Sequence, residues 1–287
     1  MKTSLNQEVA EQLNQIADLL EQQGANPFRI NAYRKAAITV SSLKEAVQDI
    51  VADKGINGLV ALPTIGTGIA HTIYEIVATG RASRLQRLRG ELDPVHLFQT
   101  VPGIGPGLAK QIHDELHIDT LEALESAAHN GRLEKVPGLG HRRVAAIRGA
   151  LTELLGRRAG HGVVTSDLEP SIKTLLAVDR LYCDGARNNK LPTIAPKRFN
   201  PKGDSWLPIL HTTRDDWHFT VLYSNTARAH ELGKTKDWVV IYFYDDHHHE
   251  AQHTVVTETK GPLQGNRVVR GREMDCRDYY ASRKLTV

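Results

Sequence analysis

The 287-residue sequence contains only two cysteines, Cys183 and Cys276, which lie far apart and outside any Cys-x-x-Cys pair. So few cysteines argue against a disulfide scaffold and a structural zinc site, and they are typical of proteins in a reducing compartment. The chain also lacks an apolar run of membrane-spanning length, and its N-terminus lacks the apolar core and cleavage site of a secretory signal. We therefore expect a soluble, cytoplasmic protein that has no membrane partner.

The chain also has no large excess of either charge. It contains 36 lysines and arginines and 33 aspartates and glutamates, which gives a net charge of +3. This total alone implies no polyanionic partner. The distribution is more informative: seven basic and two acidic residues lie between Gly131 and Arg158, and five basic and no acidic residues lie between Ala186 and Lys202. These stretches fit either a phosphate-binding surface or a solubilising one.

Three similar five-residue segments recur in the first half of the chain. Val101–Gly105 reads Val-Pro-Gly-Ile-Gly, Val136–Gly140 reads Val-Pro-Gly-Leu-Gly, and Leu62–Gly66 is a degenerate copy, Leu-Pro-Thr-Ile-Gly. In chain order, we call Leu62–Gly66 the first turn, Val101–Gly105 the second turn and Val136–Gly140 the third turn. Each precedes an apolar pattern with helical spacing, and their starts are separated by 39 and 35 residues. The segments therefore form an internal repeat of helix, turn and helix.

Proline and glycine give these turns a specific chemistry. Proline ends the first helix, glycine permits positive φ and close approach of another backbone, and the next helix presents unpaired N–H groups. Those donors and the helix dipole suit a phosphate oxygen, which makes each segment a helix-hairpin-helix turn that binds DNA; a purely structural hairpin is the alternative. The predicted DNA-binding residues at the turns are Gly66, Gly68, Gly103, Gly105, Gly107, Lys110, Gly138, Gly140, Arg142 and Arg143.

The secondary-structure pattern changes in mid-chain. Up to about Gly156 the sequence predicts helices and turns, including a helix capped by Ser4 and another around Ser42–Val51. After Trp206, short β-branched and aromatic runs predict an antiparallel sheet. We expect a multidomain protein with an all-α N-terminal half, carrying tandem helix-hairpin-helix motifs, and a smaller α+β C-terminal domain. The predicted divisions are residues 1–92 (helical domain), 93–157 (tandem helix-hairpin-helix domain), 158–204 (linker with one helix and a basic extended segment) and 205–287 (α+β domain).

The N-terminal half resembles the non-polymerase part of family X DNA polymerases. The resemblance covers about residues 5–156 and rests on Asn26–Ala37, Leu62–Ala70, Ala78–Gly80 and Val101–Ala109. It implies that the first module binds the 5′-phosphate side of a DNA gap, with Arg29, Tyr33 and Lys35 as the remaining phosphate-pocket residues, and that the following hairpins hold the DNA backbone. The C-terminal half resembles poorly characterised helix-hairpin-helix proteins, which implies no chemistry.

The sequence lacks two features that the enzymatic activities of that family require. Lyase chemistry needs an amine nucleophile, but the helix where the resemblance places it contains His71 and no lysine, which leaves Lys35 as the only reserve amine. The polymerase palm needs an Asp-x-Asp pair on a strand, whereas Asp215-Asp216 and Asp245-Asp246 are adjacent pairs whose side chains point to opposite faces. We therefore expect neither a DNA lyase nor a polymerase.

The C-terminal half offers several candidate sites. Asp245–Glu250, Asp-Asp-His-His-His-Glu, fits either a divalent-metal site, for Mg²⁺ or Mn²⁺, or a solvated hairpin loop. His218 and Thr220 share a strand face and could cradle a phosphodiester; His253 and Thr257 are less regularly spaced. The predicted catalytic residues are His218, His253, Glu258 and Arg270. The sequence does not identify their cofactor.

Two further C-terminal patterns have alternatives. Arg270 and Arg272, between Glu258 and Glu273, fit either a phosphate-binding fork or a ladder of ion pairs. The three tryptophans fit either stacking on unpaired bases or core packing; they are Trp206, Trp217 and Trp238.

Together these patterns predict a structure-selective, sequence-independent DNA-binding protein of repair or replication, located at the nucleoid if bacterial. Its expected partners are duplex, nicked or gapped DNA and a repair or replication protein. The alternative is a metal-dependent nuclease or phosphodiesterase whose active site lies in the C-terminal domain.

Overall fold

The computed structural model describes residues 4–90, 94–154, 169–244 and 251–284. The chain forms two compact units, one N-terminal and one C-terminal, and the described residues divide between them after residue 154. Several predicted features lie outside the described residues: the basic residues Arg157 and Arg158, the start of the predicted linker and the Asp245–Glu250 cluster. No described helix combines the length and the apolar character needed to cross a membrane.

The described part of the N-terminal unit is entirely helical. Its helices are α1 (Leu5–Gln22), α2 (Pro27–Ser41), α3 (Val47–Val60), α4 (Thr67–Thr79), α5 (Ser83–Arg89), α6 (Pro94–Phe98), α7 (Pro106–Leu116), α8 (Leu121–His129) and α9 (His141–Leu154). Apolar side chains of α1, at the spacing seen in the sequence, are fully buried; they include Leu13, Ile16 and Leu20. A second cluster of buried apolar residues extends from Leu97 to Leu151 and holds α7, α8 and α9 together.

Local signals placed some helix ends correctly and missed another. The Ser4 side chain accepts a hydrogen bond from the Gln7 amide at the start of α1, as the sequence predicts. The helix predicted over residues 42–51 is wrong, because α3 begins at Val47. Its first amide donates to the Asn6 side chain, 2.8 Å away on α1. This cap comes from a residue distant in sequence, which a local pattern does not reveal.

The described part of the C-terminal unit is a six-stranded antiparallel sheet with three α-helices, which confirms the predicted multidomain α+β class. The strands are β1 (Thr193–Ile194), β2 (Leu207–Arg214), β3 (Trp217–Tyr223), β4 (Val239–Tyr244), β5 (Ala251–Thr257) and β6 (Arg267–Val269), and they lie side by side in chain order. The helices are α10 (Ile172–Arg187), α11 (Ala227–Glu231) and α12 (Glu273–Lys284). The sequence pattern missed β1, β2 and α12.

The segment predicted as a linker belongs to the C-terminal unit where the structure describes it. Helix α10 lies on one face of the sheet, because the Tyr182 hydroxyl donates to the Pro208 carbonyl and accepts from the Tyr223 amide, both within 2.9 Å. The Asp179 carboxylate also binds the Arg267 guanidinium of β6. Residues 169–204 are therefore part of the folded unit. The apolar stripe of α10, which includes Leu175 and Tyr182, was the available signal.

Candidate nucleic-acid interface

The three turns share one backbone conformation. In each turn the amide of the fourth residue donates to the carbonyl of the first, over 3.4 Å in the first turn and 3.1 Å in the other two. The third residue has a positive φ angle, which is 65° at Thr64, 89° at Gly103 and 83° at Gly138. With proline at the second position, these are the features of a type II β-turn. The degenerate first turn therefore keeps the backbone of the other two.

Apolar residues anchor the turns, while their prolines and glycines face outward. Val101 and Ile104 are buried in the second turn, and Val136 and Leu139 are buried at the same positions of the third. The proline and both glycines of each of these turns are exposed. This alternation fixes each turn to the core and leaves its backbone at the surface.

A helix begins directly after each turn. In α4 and α7 no described side chain caps the first N–H groups of the helix. Gly66 and Gly105 are the N-cap residues and have extended backbones. The Gly140 carbonyl accepts from the Val144 amide at 3.1 Å, so α9 follows the third turn as α7 follows the second. The first amides of a helix have no intrahelical acceptor and lie at the positive end of its dipole. Each turn therefore presents donors suited to an anion.

Three glycines near the turns are not required by the fold of the protein. A Cβ atom added at Gly105, Gly107 or Gly140 would meet nothing within 4 Å, and none of the three has a positive φ angle. At Gly105, for example, φ is −86°, which any residue adopts. Glycine at such positions keeps space free for something outside the chain.

Basic side chains surround the second and third turns. The Arg143 guanidinium of α9 donates to the Gly103 carbonyl at 3.2 Å and so links the two turns. Arg142 is exposed beside it. The Lys110 ammonium on α7 pairs with the Asp114 carboxylate at 2.5 Å while more than half of its surface remains accessible. These side chains place positive charge beside the open backbone.

The residues assigned to a phosphate pocket by resemblance all lie on α2, but they differ in exposure. Tyr33 is only 2% exposed, and its hydroxyl accepts a hydrogen bond from Arg84, so it is a core residue and not a surface phosphate ligand. Arg29 is half-buried and Lys35 is exposed on the same helix, α2. On α4, His71 Nδ1 lies 2.8 Å from the Thr67 carbonyl oxygen.

Comparison with known families gives these turns a context. Residues 4–82 match the family model described as a helix-hairpin-helix domain, and residues 95–153 match the one described as a SAM-like helix-hairpin-helix tandem. Both segments are helix-hairpin-helix domains. The first turn lies in the first match, and the second and third turns lie in the tandem.

A curated relative supports the predicted resemblance of the N-terminal half to family X polymerases. The chain is 28% identical over 143 residues to the DNA polymerase/3′-5′ exonuclease PolX of Bacillus subtilis. The match covers 49% of this chain and 24% of the relative. The chain thus spans about a quarter of the length of the curated relative that it matches.

The four side chains predicted to be catalytic do not converge. His253 on β5 lies opposite Ile241, which lies opposite Val221 on β3. Since Val221 is three positions from His218, the two histidines lie on opposite faces of the sheet. His253 Nε2 lies 3.0 Å from the Glu169 carboxylate. The predicted cluster is therefore not formed, because strand register, which the sequence did not reveal, separates its members.

The predicted arginine cluster forms ion pairs instead of an open fork. The Arg270 guanidinium lies 2.7 Å from the Glu258 carboxylate, which lowers the pKa of Glu258 chiefly through this hydrogen bond. Arg272 pairs with Asp275 at 2.8 Å and donates to the Pro170 carbonyl. Of the two alternatives, the structure favours the ion-pair ladder.

A pair of His–Thr contacts was only half recognised in the sequence. His211 lies opposite Thr220, and Thr213 lies opposite His218, in the register of β2 and β3. The Nδ1 atoms of the two histidines lie 3.1 and 2.9 Å from the threonine hydroxyls. The missed signal was a second His-x-Thr segment, residues 211–213.

Several carboxylates and tryptophans of the C-terminal unit belong to turns or to side-chain packing. Asp215 and Asp216 form the tight turn between β2 and β3, with φ angles of 50° and 63°. Trp217 packs edge-on against Phe243 in the sheet, whereas Trp206 is half-buried at the surface of a cleft. Within the described ranges, no three His, Cys, Asp or Glu side chains are grouped to hold a metal ion.

Proposed function

We propose that this protein binds DNA through its helix-hairpin-helix turns and that it does so by contacts to backbone phosphates. Each turn would place one phosphate oxygen against the first N–H groups of α4, α7 or α9. Lys110, Arg142 and Arg143 would add positive charge around the second and third turns. Phosphate contacts carry no sequence information, so binding is selective for DNA structure, such as nicked or gapped duplex, and independent of sequence.

The open glycines carry this proposal. Gly105 and Gly140 have neither a positive φ angle nor a neighbour that excludes a side chain. Gly107 lies inside α7, where glycine costs about 1 kcal/mol relative to alanine. An approaching DNA backbone explains all three, because phosphate oxygens reach amide donors only where no side chain intervenes.

The resemblance to a polymerase/exonuclease suggests the setting. We propose a role in DNA repair or replication, beside another protein of that process, at the nucleoid if the source is bacterial. The four predicted catalytic side chains do not support the nuclease alternative, because His218 and His253 lie on opposite faces of the sheet and Arg270 pairs with Glu258. We therefore do not propose it for them. The boundary near residue 92 between two helical domains also remains our proposal.

The test replaces the glycines that precede α7 and α9, Gly105→Asp with Gly140→Asp. Aspartate is a good N-cap residue, so the free energy of unfolding should stay the same or rise by a few tenths of a kcal/mol. The new carboxylates occupy the helix donors and repel phosphate, so duplex affinity should fall at least about tenfold. Native gels with intact, nicked and gapped duplex measure the affinity, and thermal melting followed by circular dichroism measures the stability.

The matched control is Gln7→Glu with Gln48→Glu. It adds the same charge in the first turns of α1 and α3, which do not follow a Pro-Gly turn. Its duplex affinity should remain within about twofold of wild type, because charge far from the turns acts only through a screened field. Equal losses in the two variants, or undiminished binding by the aspartate variant, would refute binding at the turns.

A further inference from the structure

A cleft of about 1130 Å³ opens in the C-terminal unit, and its lining includes neither the turns nor the four residues predicted to be catalytic. It is lined by α10, α12, strand β2 and the residues that precede β4. Neither the helix-hairpin-helix domains nor the His–Thr contacts of the sheet contribute a residue to it. We call it the α10 cleft.

The lining of the α10 cleft is strongly basic. Seven lysines and arginines face three aspartates, and no glutamate lines the cleft. Asp179 and Asp237 both bind Arg267, within 2.7 Å, and the third aspartate pairs with Arg187 on the next turn of α10. The remaining cations have no salt-bridge partner among the described residues; they are Lys173, Arg180, Arg214, Lys236 and Arg283. The cleft therefore holds positive charge that the described residues do not neutralise.

The charges are arranged along a line. Lys173, Arg180 and Arg187 recur every seven residues on α10 and so lie on one side of the helix. At 1.5 Å per residue the row extends over about 21 Å. A single phosphate group would use one end of such a row, whereas a linear polyanion can follow all of it.

Aromatic rings accompany this row. Trp206 and Tyr279 line the cleft and are half-buried. The Arg283 guanidinium stacks over the Tyr279 ring, with its central carbon 5.6 Å from the ring centroid. A basic groove lined by partly accessible aromatic rings is the arrangement that binds single-stranded nucleic acid, because phosphates follow the cations and unpaired bases stack on the rings. A duplex offers this surface only phosphates, since its bases are already stacked.

We propose that the α10 cleft binds single-stranded DNA. The choice of DNA over RNA rests on the proposed function of the helix-hairpin-helix domains; the choice of a single strand rests on the cleft alone. Two sites on one chain, one for duplex and one for an unpaired strand, raise the apparent affinity for DNA that presents both, as gapped DNA does.

The main test is Lys173→Glu with Arg180→Glu in the full chain. Both side chains are exposed and make no hydrogen bond or salt bridge among the described residues, so the fold should be retained. Fluorescence anisotropy with labelled oligothymidylate should show an affinity loss of about tenfold or more, because phosphate contacts dominate such binding. Affinity for a blunt duplex should change by less than about twofold, because the turns are unaltered.

Two further variants make the test specific. Lys44→Glu with Lys260→Glu makes the same charge change at exposed positions outside the cleft and should leave oligothymidylate binding within about twofold of wild type. Trp206→Ala keeps every charge and should weaken oligothymidylate binding about fivefold or more through lost stacking.

The outcomes separate this proposal from the proposed function. Equal losses in the cleft and control variants, or wild-type oligothymidylate binding by Trp206→Ala, would overturn the single-strand site. The Gly105→Asp, Gly140→Asp variant should lose duplex binding and keep oligothymidylate binding. If it keeps both, the proposal for the turns fails while the α10 cleft stands on its own variants.

Discussion

His113 is a residue of the helix-hairpin-helix tandem whose charge is coupled to folding. It is buried on α7, and its Nε2 lies 3.0 Å from the Asp119 carboxylate. Burial lowers the pKa of His113, but hydrogen bonds to Asp114 and Asp119 outweigh burial and raise that pKa from 6.5 to about 9. The hydrogen bond from His113 also lowers the pKa of Asp114 to about 2. The folded domain therefore favours the imidazolium form.

A raised pKa in the folded state gives a defined pH dependence. The stabilisation is complete below pH 6.5, where His113 is protonated in both folded and unfolded chains, and it is lost as pH rises through about 9. We expect the free energy of unfolding to fall by about 3 kcal/mol over this window. Circular dichroism at several pH values measures this change, because it follows the helices of the N-terminal unit. Tryptophan fluorescence does not follow that unit, since all three tryptophans lie in the other one.

The control compares two histidines of the same domain. His113→Gln should flatten the pH dependence between pH 6.5 and 9, whereas His129→Gln, at an exposed position, should leave it as in wild type. A His113→Gln variant that retains the full decline would show that another group causes it.

At the scale of elements, the turns show how different residues form one backbone. Thr64 occupies the position of Gly103 and Gly138 although a positive φ is rare for threonine. Its hydroxyl lies 2.8 Å from the Thr39 hydroxyl of α2, a contact between neighbouring elements that helps to hold the conformation. The proline and the turn position were enough to predict the first turn from the sequence, but this supporting contact was not visible there.

The link between α9 and the second turn yields a prediction for the paired hairpins. Arg143→Gln removes the contact to the Gly103 carbonyl, so the two turns lose their connection and duplex affinity should fall about threefold to tenfold. Arg148→Gln, on the same helix at an exposed position, should change it by less than about twofold. Gel shifts at constant salt compare the two, and indistinguishable affinities would show that Arg143 has no special role.

At the scale of the whole molecule, a net charge of +3 conceals strongly basic regions. One region surrounds the second and third turns, and another lines the α10 cleft. Two molecules of equal net charge can therefore differ greatly in their affinity for DNA, because binding depends on the local density of unpaired cations.

The salt dependence of duplex binding tests this picture. The logarithm of the binding constant should fall linearly with the logarithm of salt concentration, and Arg142→Gln should reduce the slope by about 1 if Arg142 contacts one phosphate. Duplexes of the same length but permuted sequence should give the same slope and affinity. A strong sequence preference would contradict binding through phosphates alone.

The sequence by itself determined the class of fold and the character of the turns. Pro-Gly spacing and helical periodicity depend on local backbone preferences, so they identified the helix-hairpin-helix repeats without tertiary information. Short runs of β-branched and aromatic residues likewise revealed strands such as Trp217–Tyr223. These features could be predicted because each is encoded within a few neighbouring residues.

Only the tertiary structure decided which distant side chains meet. Strand register put His218 and His253 on opposite faces, and helix packing buried Tyr33 beside Arg84. The α10 cleft is also a tertiary feature, since its cations come from α10, β2, β6, α12 and the segment before β4. Such sites depend on how elements pack. Local sequence patterns do not specify the distances between those elements.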